Sequence, residues 1–174
     1  DRVMTSSDGI NWTVRSAAGD DDSWRAVTYG NGMFVAVGNS GDRVITSADG
    51  ITWTARSAAG DNDAWRAVTY GNGLFVAVGD TGGTDKIMTS PDGVTWTTRT
   101  PPSGDWKGVT YGNGLFVAVG SSGGINYSMT SSDGGITWTG NGGAGGGVAI
   151  TYGNGLFVAV NTFANTRTSK DGVT

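Results

Sequence analysis

Fifteen aspartates, eight arginines, three lysines and five tyrosines carry the charge and nucleophilic character of this chain, because glutamate, glutamine, histidine and cysteine are absent. Two aspartate groups stand out. Asp20-Asp21-Asp22 and Asp61-Asn62-Asp63 present closely spaced carboxylates, and a calcium ion takes about six to eight oxygen ligands at roughly 2.3–2.6 Å. Asp20, Asp22, Asp61 and Asp63 are therefore weak calcium candidates: neither run has EF-hand spacing, no further bidentate carboxylate is obvious, and solvated turns are the plainer reading. Three further pairs, Trp24-Arg25, Trp65-Arg66 and Trp106-Lys107, set an aromatic ring beside a cation. Such a pair can stack on a sugar or hold an acidic group; the same tryptophans can also plug the space between stacked sheets.

Catalysis by these residues is not expected. Acid–base chemistry near neutral pH draws on histidine or on tuned carboxylate pairs, and only aspartate is present. Without cysteine or histidine there is no thiolate nucleophile, no His-containing metal site and no Ser-His-Asp triad. The formal charge of −4 and pI near 4.5 come from aspartate, and the cations are dispersed through the chain, which argues against a nucleic-acid partner. No apolar run is long enough to span a bilayer as a helix, so no membrane span is expected, and no targeting signal is expected within this segment. The Gly/Thr/Ser/Asn-rich, lysine-poor composition resembles that of secreted, cell-surface or virion proteins. No cofactor is called for.

The elements that position these residues are set by repetition. Thr-Tyr-Gly-Asn-Gly-(Leu/Met)-Phe-Val-Ala-Val occurs four times, with tyrosines at Tyr29, Tyr70, Tyr111 and Tyr152, 41 residues apart. In the second unit, Trp65 to Tyr70 and Leu74 to Val78 are β-rich runs about a Gly-Asn-Gly turn, which accepts the positive φ of a tight hairpin. The second run does not alternate apolar with polar, so both of its faces should be covered. A third strand is predicted at Lys86 to Thr89 and a fourth at Val94 to Arg99. Four antiparallel strands in about 41 residues, stacked on like neighbours, predict an all-β β-propeller.

A second phrase, Ser-x-Asp-Gly-x-x-Trp, runs in phase with the first, with aspartates at Asp8, Asp49, Asp92, Asp133 and Asp171 and tryptophans at Trp12, Trp53, Trp96 and Trp138. Ser131-Ser132-Asp133-Gly134-Gly135-Ile136-Thr137-Trp138 matches the Asp-box pattern S-x-D-x-G-x-T-W. The chain thus resembles the Asp-box, or BNR-repeat, propellers of the sialidase-like kind over nearly its whole length. The resemblance implies a structural role for these residues: the aspartate ties the turn between third and fourth strands, and the tryptophan packs into the blade as core.

Taken as one domain over 1–174, or as a segment of a larger propeller, the chain divides into a partial blade at 1–15, blades at 24–57, 65–100 and 106–139, and a partial blade at 147–174. The Gly-Asn-Gly turns and Asp boxes crowd one end of the blades. Variable loops occupy the other, among them Asp80 to Asp85, Ser121 to Tyr127 and Gly140 to Gly147, and that face is where a glycan or protein ligand is expected. Unfinished blades add self-association through their edges. The expected function is a non-catalytic recognition or assembly module of a secreted, cell-surface or phage-fibre-type protein. The alternative is a segment of a sialidase-like glycoside hydrolase whose catalytic residues lie elsewhere.

Overall fold

The computed structural model describes residues 3–18, 23–39, 43–60, 64–80, 86–122, 125–142, 147–161 and 166–173. Among them every regular element is a strand. A two-stranded sheet pairs β1 (Val3–Thr5) with β2 (Thr13–Arg15). Three four-stranded antiparallel sheets follow. The first holds β3 (Trp24–Gly30), β4 (Met33–Gly38), β5 (Arg43–Ser47) and β6 (Thr54–Ser57), and the second β7 (Trp65–Gly71), β8 (Leu74–Gly79), β9 (Ile87–Ser90) and β10 (Thr97–Arg99). The third holds β11 (Trp106–Gly112), β12 (Leu115–Ser122), β13 (Ile125–Ser131) and β14 (Thr139–Gly142). A three-stranded sheet of β15 (Ala149–Gly153), β16 (Leu156–Val160) and β17 (Thr166–Ser169) completes the series. Each sheet is a blade in which strands pair in chain order.

Boundaries differ from the predicted ones where turns take up more or less chain. The fourth strand of the second blade starts at Thr97, not Val94, because the Asp-box turn holds the residues before it. In the third blade β12 and β13 pair as far as Ser122 with Ile125, so a predicted loop is largely hairpin. β14 likewise runs to Gly142.

The hairpin joining the first two strands of each blade is fixed by two residues. Asn31, Asn72, Asn113 and Asn154 have φ of 48–49°, and the glycine after each is also positive. Positive φ at both central positions is the type I′ turn, whose twist matches that of the flanking strands. The glycine before each asparagine has another cause. A Cβ at Gly30 would lie 2.0 Å from Cγ of Tyr70, one at Gly71 2.1 Å from Cγ of Tyr111, and one at Gly112 2.1 Å from Cγ of Tyr152. Each tyrosine is thus a knob seated on the bare backbone of the blade before it.

Around this contact the blades bury their core. Val35, Val37 and Val44 of the first blade meet Trp65, Val68, Phe75, Ala77 and Met88 of the second. The next interface repeats the pattern with Val76, Val78 and Ile87 against Trp106, Val109, Phe116, Ala118 and Met129. In each blade the valines of the second strand face forward, and the phenylalanine and alanine between them face back. The hydrophobic core therefore lies between blades, which is how a sheet with two apolar faces is satisfied.

Candidate functional site

The Asp boxes all lie at the end of the blades that carries the type I′ turns. Asp49 Oδ1 accepts hydrogen bonds from the backbone N–H of Ile51 and Thr52, both at 2.8 Å, and from Ser47 Oγ at 2.9 Å. Ser47 Oγ in turn accepts from the Gly50 N–H at 2.8 Å, and Trp53 Nε1 donates to the Gly50 carbonyl at 3.1 Å. The boxes at Asp8 and Asp92 repeat this set, and that at Asp171 repeats it as far as Val173. Asp133 reaches the same solution with one more residue in its turn, bonding Ile136 and Thr137. These carboxylates are committed to their own backbone.

That commitment has a pH signature. The N–H of Thr52, then that of Ile51 and the Ser47 hydroxyl, hold Asp49 at about 2 against an ordinary 3.8. The Thr137 hydroxyl, then its N–H, hold Asp133 at about 2. The N–H of Asn11 and that of Thr95 are the leading causes of lowered values at Asp8 and Asp92. A carboxylate lowered on folding stabilises the fold above its unfolded value and loses that contribution as pH falls through its folded value. We predict a thermal midpoint nearly level above pH 5 and falling between about 4 and 2, with a shallower fall in Asp49→Asn; an equal fall in both proteins would remove Asp49 as a cause.

The box tryptophans are less buried than expected of core. Trp53, Trp96 and Trp138 are half-buried and Trp12 is 57% exposed, because the indole lies along its own turn while reaching back to a glycine carbonyl. The fully buried indoles are Trp65 and Trp106, which sit between blades and offer no ring to a ligand. Trp24, the third of that set, is half-buried. Asp20, Asp22, Asp61 and Asp63 lie outside the described residues.

The neighbours of those tryptophans have a different fate. Arg25, Arg66 and Lys107 follow at the second position of the first strand in three successive blades, and the first strands contact one another in sequence, β3 to β7 to β11 to β15. The three cations consequently line one cavity of about 380 Å³ at the end opposite the Asp boxes, together with Val148 of the fourth unit and Asp80. Arg25 is exposed, Arg66 and Lys107 half-buried. Among the described residues one carboxylate faces three cations there, in a protein whose overall charge is negative.

Arg25 and Arg66 are each met by the residue that follows the second strand of their blade. With its amide oriented to satisfy both neighbours, Asn39 donates to the Ser23 carbonyl at 3.2 Å and accepts from Arg25 Nη2 at 3.0 Å. At the equivalent place in the next blade Asp80 Oδ2 lies 2.7 Å from Arg66 Nε. Close as they are, the Nε–H does not point at the carboxylate: Arg66 Nε has no hydrogen-bond partner, and neither does the buried Asp80 Oδ1. The Asp80 main chain is held by its N–H to the Ala64 carbonyl at 3.2 Å and by Lys86 Nζ on its carbonyl at 3.4 Å. Lys86 also pairs with Asp105 at 2.8 Å. The site offers cationic donors to an anion.

Asp80 enters the sequence reading only at the start of a variable loop, as a weak calcium candidate, and its place among the cations was not foreseen. A signal for it existed: at the 41-residue spacing this position reads Asn39, Asp80, Ser121 and Thr162, a varying polar residue behind a nearly invariant run. Among the described residues no group of three or more acidic side chains is placed to hold a metal ion, and no helix is long and apolar enough to cross a membrane.

No protein-family model and no curated protein matches the sequence. Solved structures do match in shape. The computationally designed Ika4 protein superposes with a TM-score of 0.64 at 10% identity, over 92% of this chain and 98% of that one. YCF48 bound to D1 peptide gives 0.64 at 17% identity over 92% of this chain and 54% of that one, and phage phi92 endosialidase 0.55 at 14% identity over 79% and 30%. The chain spans about half the length of YCF48 and of the designed Ika8 protein. At these identities the likeness is one of fold, and with the sheet order and the repeating interface it makes this chain an array of β-propeller blades.

Proposed function

We propose that the chain is a non-catalytic recognition module whose cation-lined cavity holds the carboxylate of an acidic peptide segment. The observation that carries this reading is the convergence of Arg25, Arg66 and Lys107 on one cavity in a chain of net negative charge. Guanidinium groups suit carboxylates because their planar donors match two oxygens. An acidic peptide supplies such a carboxylate. The likeness in fold to YCF48 bound to D1 peptide is in keeping with it. Fixed blades supply a rigid frame, so little ordering of the protein opposes binding.

The absence of glutamate, histidine and cysteine supports the non-catalytic part. The aspartates of the Asp boxes are tied into turns at the far end of the blades.

Binding of fluorescent peptides bearing aspartate or glutamate, against their amide counterparts and a panel of neutral and sialylated glycans, tests the reading. Acidic peptides should bind with an affinity that falls as salt rises, and Arg25→Ala with Lys107→Ala should weaken them about tenfold or more, since a charge-assisted hydrogen bond contributes about 1.5–3 kcal/mol. Binding of sialylated glycans alone would replace the peptide with a sugar acid. Equal binding of acidic and amidated peptides would overturn the site.

A further inference from the structure

The tyrosine-on-glycine contact occurs at three interfaces and leaves one half over at each end of the array. Gly30, Gly71 and Gly112 are covered by Tyr70, Tyr111 and Tyr152, whereas no described atom lies within 4 Å of a Cβ built at Gly153. The matching knob is Tyr29, 57% exposed. Around it the same imbalance holds. Val27 is 62% exposed where its equivalents Val68 and Val109 are 7% exposed. On the forward side Val160 is exposed where Val37, Val78 and Val119 are buried. The backward face of the first blade and the forward face of the last are two halves of the one contact that this sequence makes three times internally.

A cavity of about 600 Å³ lies on that backward face, lined by Val3, Met4, Trp24, Val27, Phe34 and Ala36, among others. It lies between β1 and the first blade, where a complete blade would have its first two strands. Thr5 of β1 already approaches Gly50, as Thr46 of β5 approaches Gly93 in the next interface. The β1–β2 pair is therefore seated as third and fourth strands of a blade, and among the described residues no strand occupies the place of its inner hairpin. β15 and β16 are such a hairpin.

We infer that a second copy of the chain docks head to tail on the first, its β15–β16 hairpin filling the cavity beside β1 so that Tyr29 of one copy seats on Gly153 of the other. The joint blade reads β15, β16, β1, β2. Both β1 and β17 are third strands, and the residue types decide which of them pairs with β16. The back-facing position is Ile45, Met88 and Met129 in the complete blades, all buried; β1 offers Met4 there and β17 offers Arg167. β17 yields the place. Because the two faces differ, the contact is heterologous, and copies add until a ring closes or a filament grows.

Sedimentation velocity on the 174-residue chain over a wide concentration range, repeated on two variants, tests this. The parent mass should at least double with concentration. Gly153→Val fills the seat without meeting any described atom of its own chain, and Val27→Asp puts a charge on the opposite face at an exposed position; each alone should stay monomeric with an unchanged circular dichroism spectrum. Mixed in equal amounts, they should give a dimer and nothing larger, since each retains the face the other lacks. A parent monomeric throughout, a Gly153→Val variant that associates like the parent, or a mixture that fails to pair would overturn the inference.

Discussion

Gly71→Val should lower the stability of the chain by about 3 kcal/mol, while the same change at Gly153 should alter it by no more than about 0.5 kcal/mol. Neither glycine has a positive φ, so the backbone tolerates valine equally at both. The difference is what the side chain meets. At Gly71 the new Cβ would lie 2.1 Å from Cγ of Tyr111, too close for any rotamer adjustment of a ring that is itself packed 4.7 Å from Phe116. Tyr111 must leave its seat, and the second interface opens with it. At Gly153 there is nothing to displace. For a chain of this size the loss corresponds to about 6–12 °C in thermal midpoint. The comparison belongs at a concentration where the chain is monomeric. Equal midpoints for the two variants would mean that the knob and its seat do not hold the blades together.

Trp65→Ala should be costlier still, about 3–5 kcal/mol, against no more than about 1 kcal/mol for Trp12→Ala. Trp65 is wholly buried between two blades among Val35, Val37, Val44 and Phe75, and truncation leaves a void the size of an indole. Trp12 keeps more than half its surface in water. Trp65 has a second peculiarity: its Nε1 donor is buried without a partner, whereas Trp106 Nε1 donates to the Pro102 carbonyl at 3.3 Å. Trp65→Phe sheds an unsatisfied donor along with some volume, and Trp106→Phe sheds a bond and strands a carbonyl. Urea denaturation should therefore rank Trp65→Phe as milder than Trp106→Phe. The reverse order would show that the Trp65 N–H is satisfied in solution.

Most of the fold was legible because repetition makes one chain its own control. The 41-residue period, the two hairpins per unit and the Asn-Gly turns carry through directly to blades and type I′ geometry. What stayed hidden depended on partners across an interface. The glycine before each asparagine reads in sequence as part of the turn, and only the stacked blades show that it answers to a tyrosine 40 residues on. The two tryptophan sets are equally apolar on paper, yet Trp65 and Trp106 are sealed between sheets while the box tryptophans lie along their turns. The cation site was half visible: Arg25, Arg66 and Lys107 share a repeat position, while their meeting in one cavity with Asp80 follows from the way first strands gather. The calcium candidates Asp20, Asp22, Asp61 and Asp63 also recur 41 residues apart, and they lie outside the described residues.

The sameness of the three interfaces also bears on how the chain folds. With the hairpin, the knob and its seat copied in each unit, no blade is marked out as the nucleus, and structure can begin at any adjacent pair and spread both ways. The same sameness makes wrong starts cheap: Tyr152 seated on Gly71 in place of Gly112 forms a local contact as good as the native one, with a blade looped out between. Refolding should accordingly be multiphasic, its slow phase reporting the undoing of skipped registers.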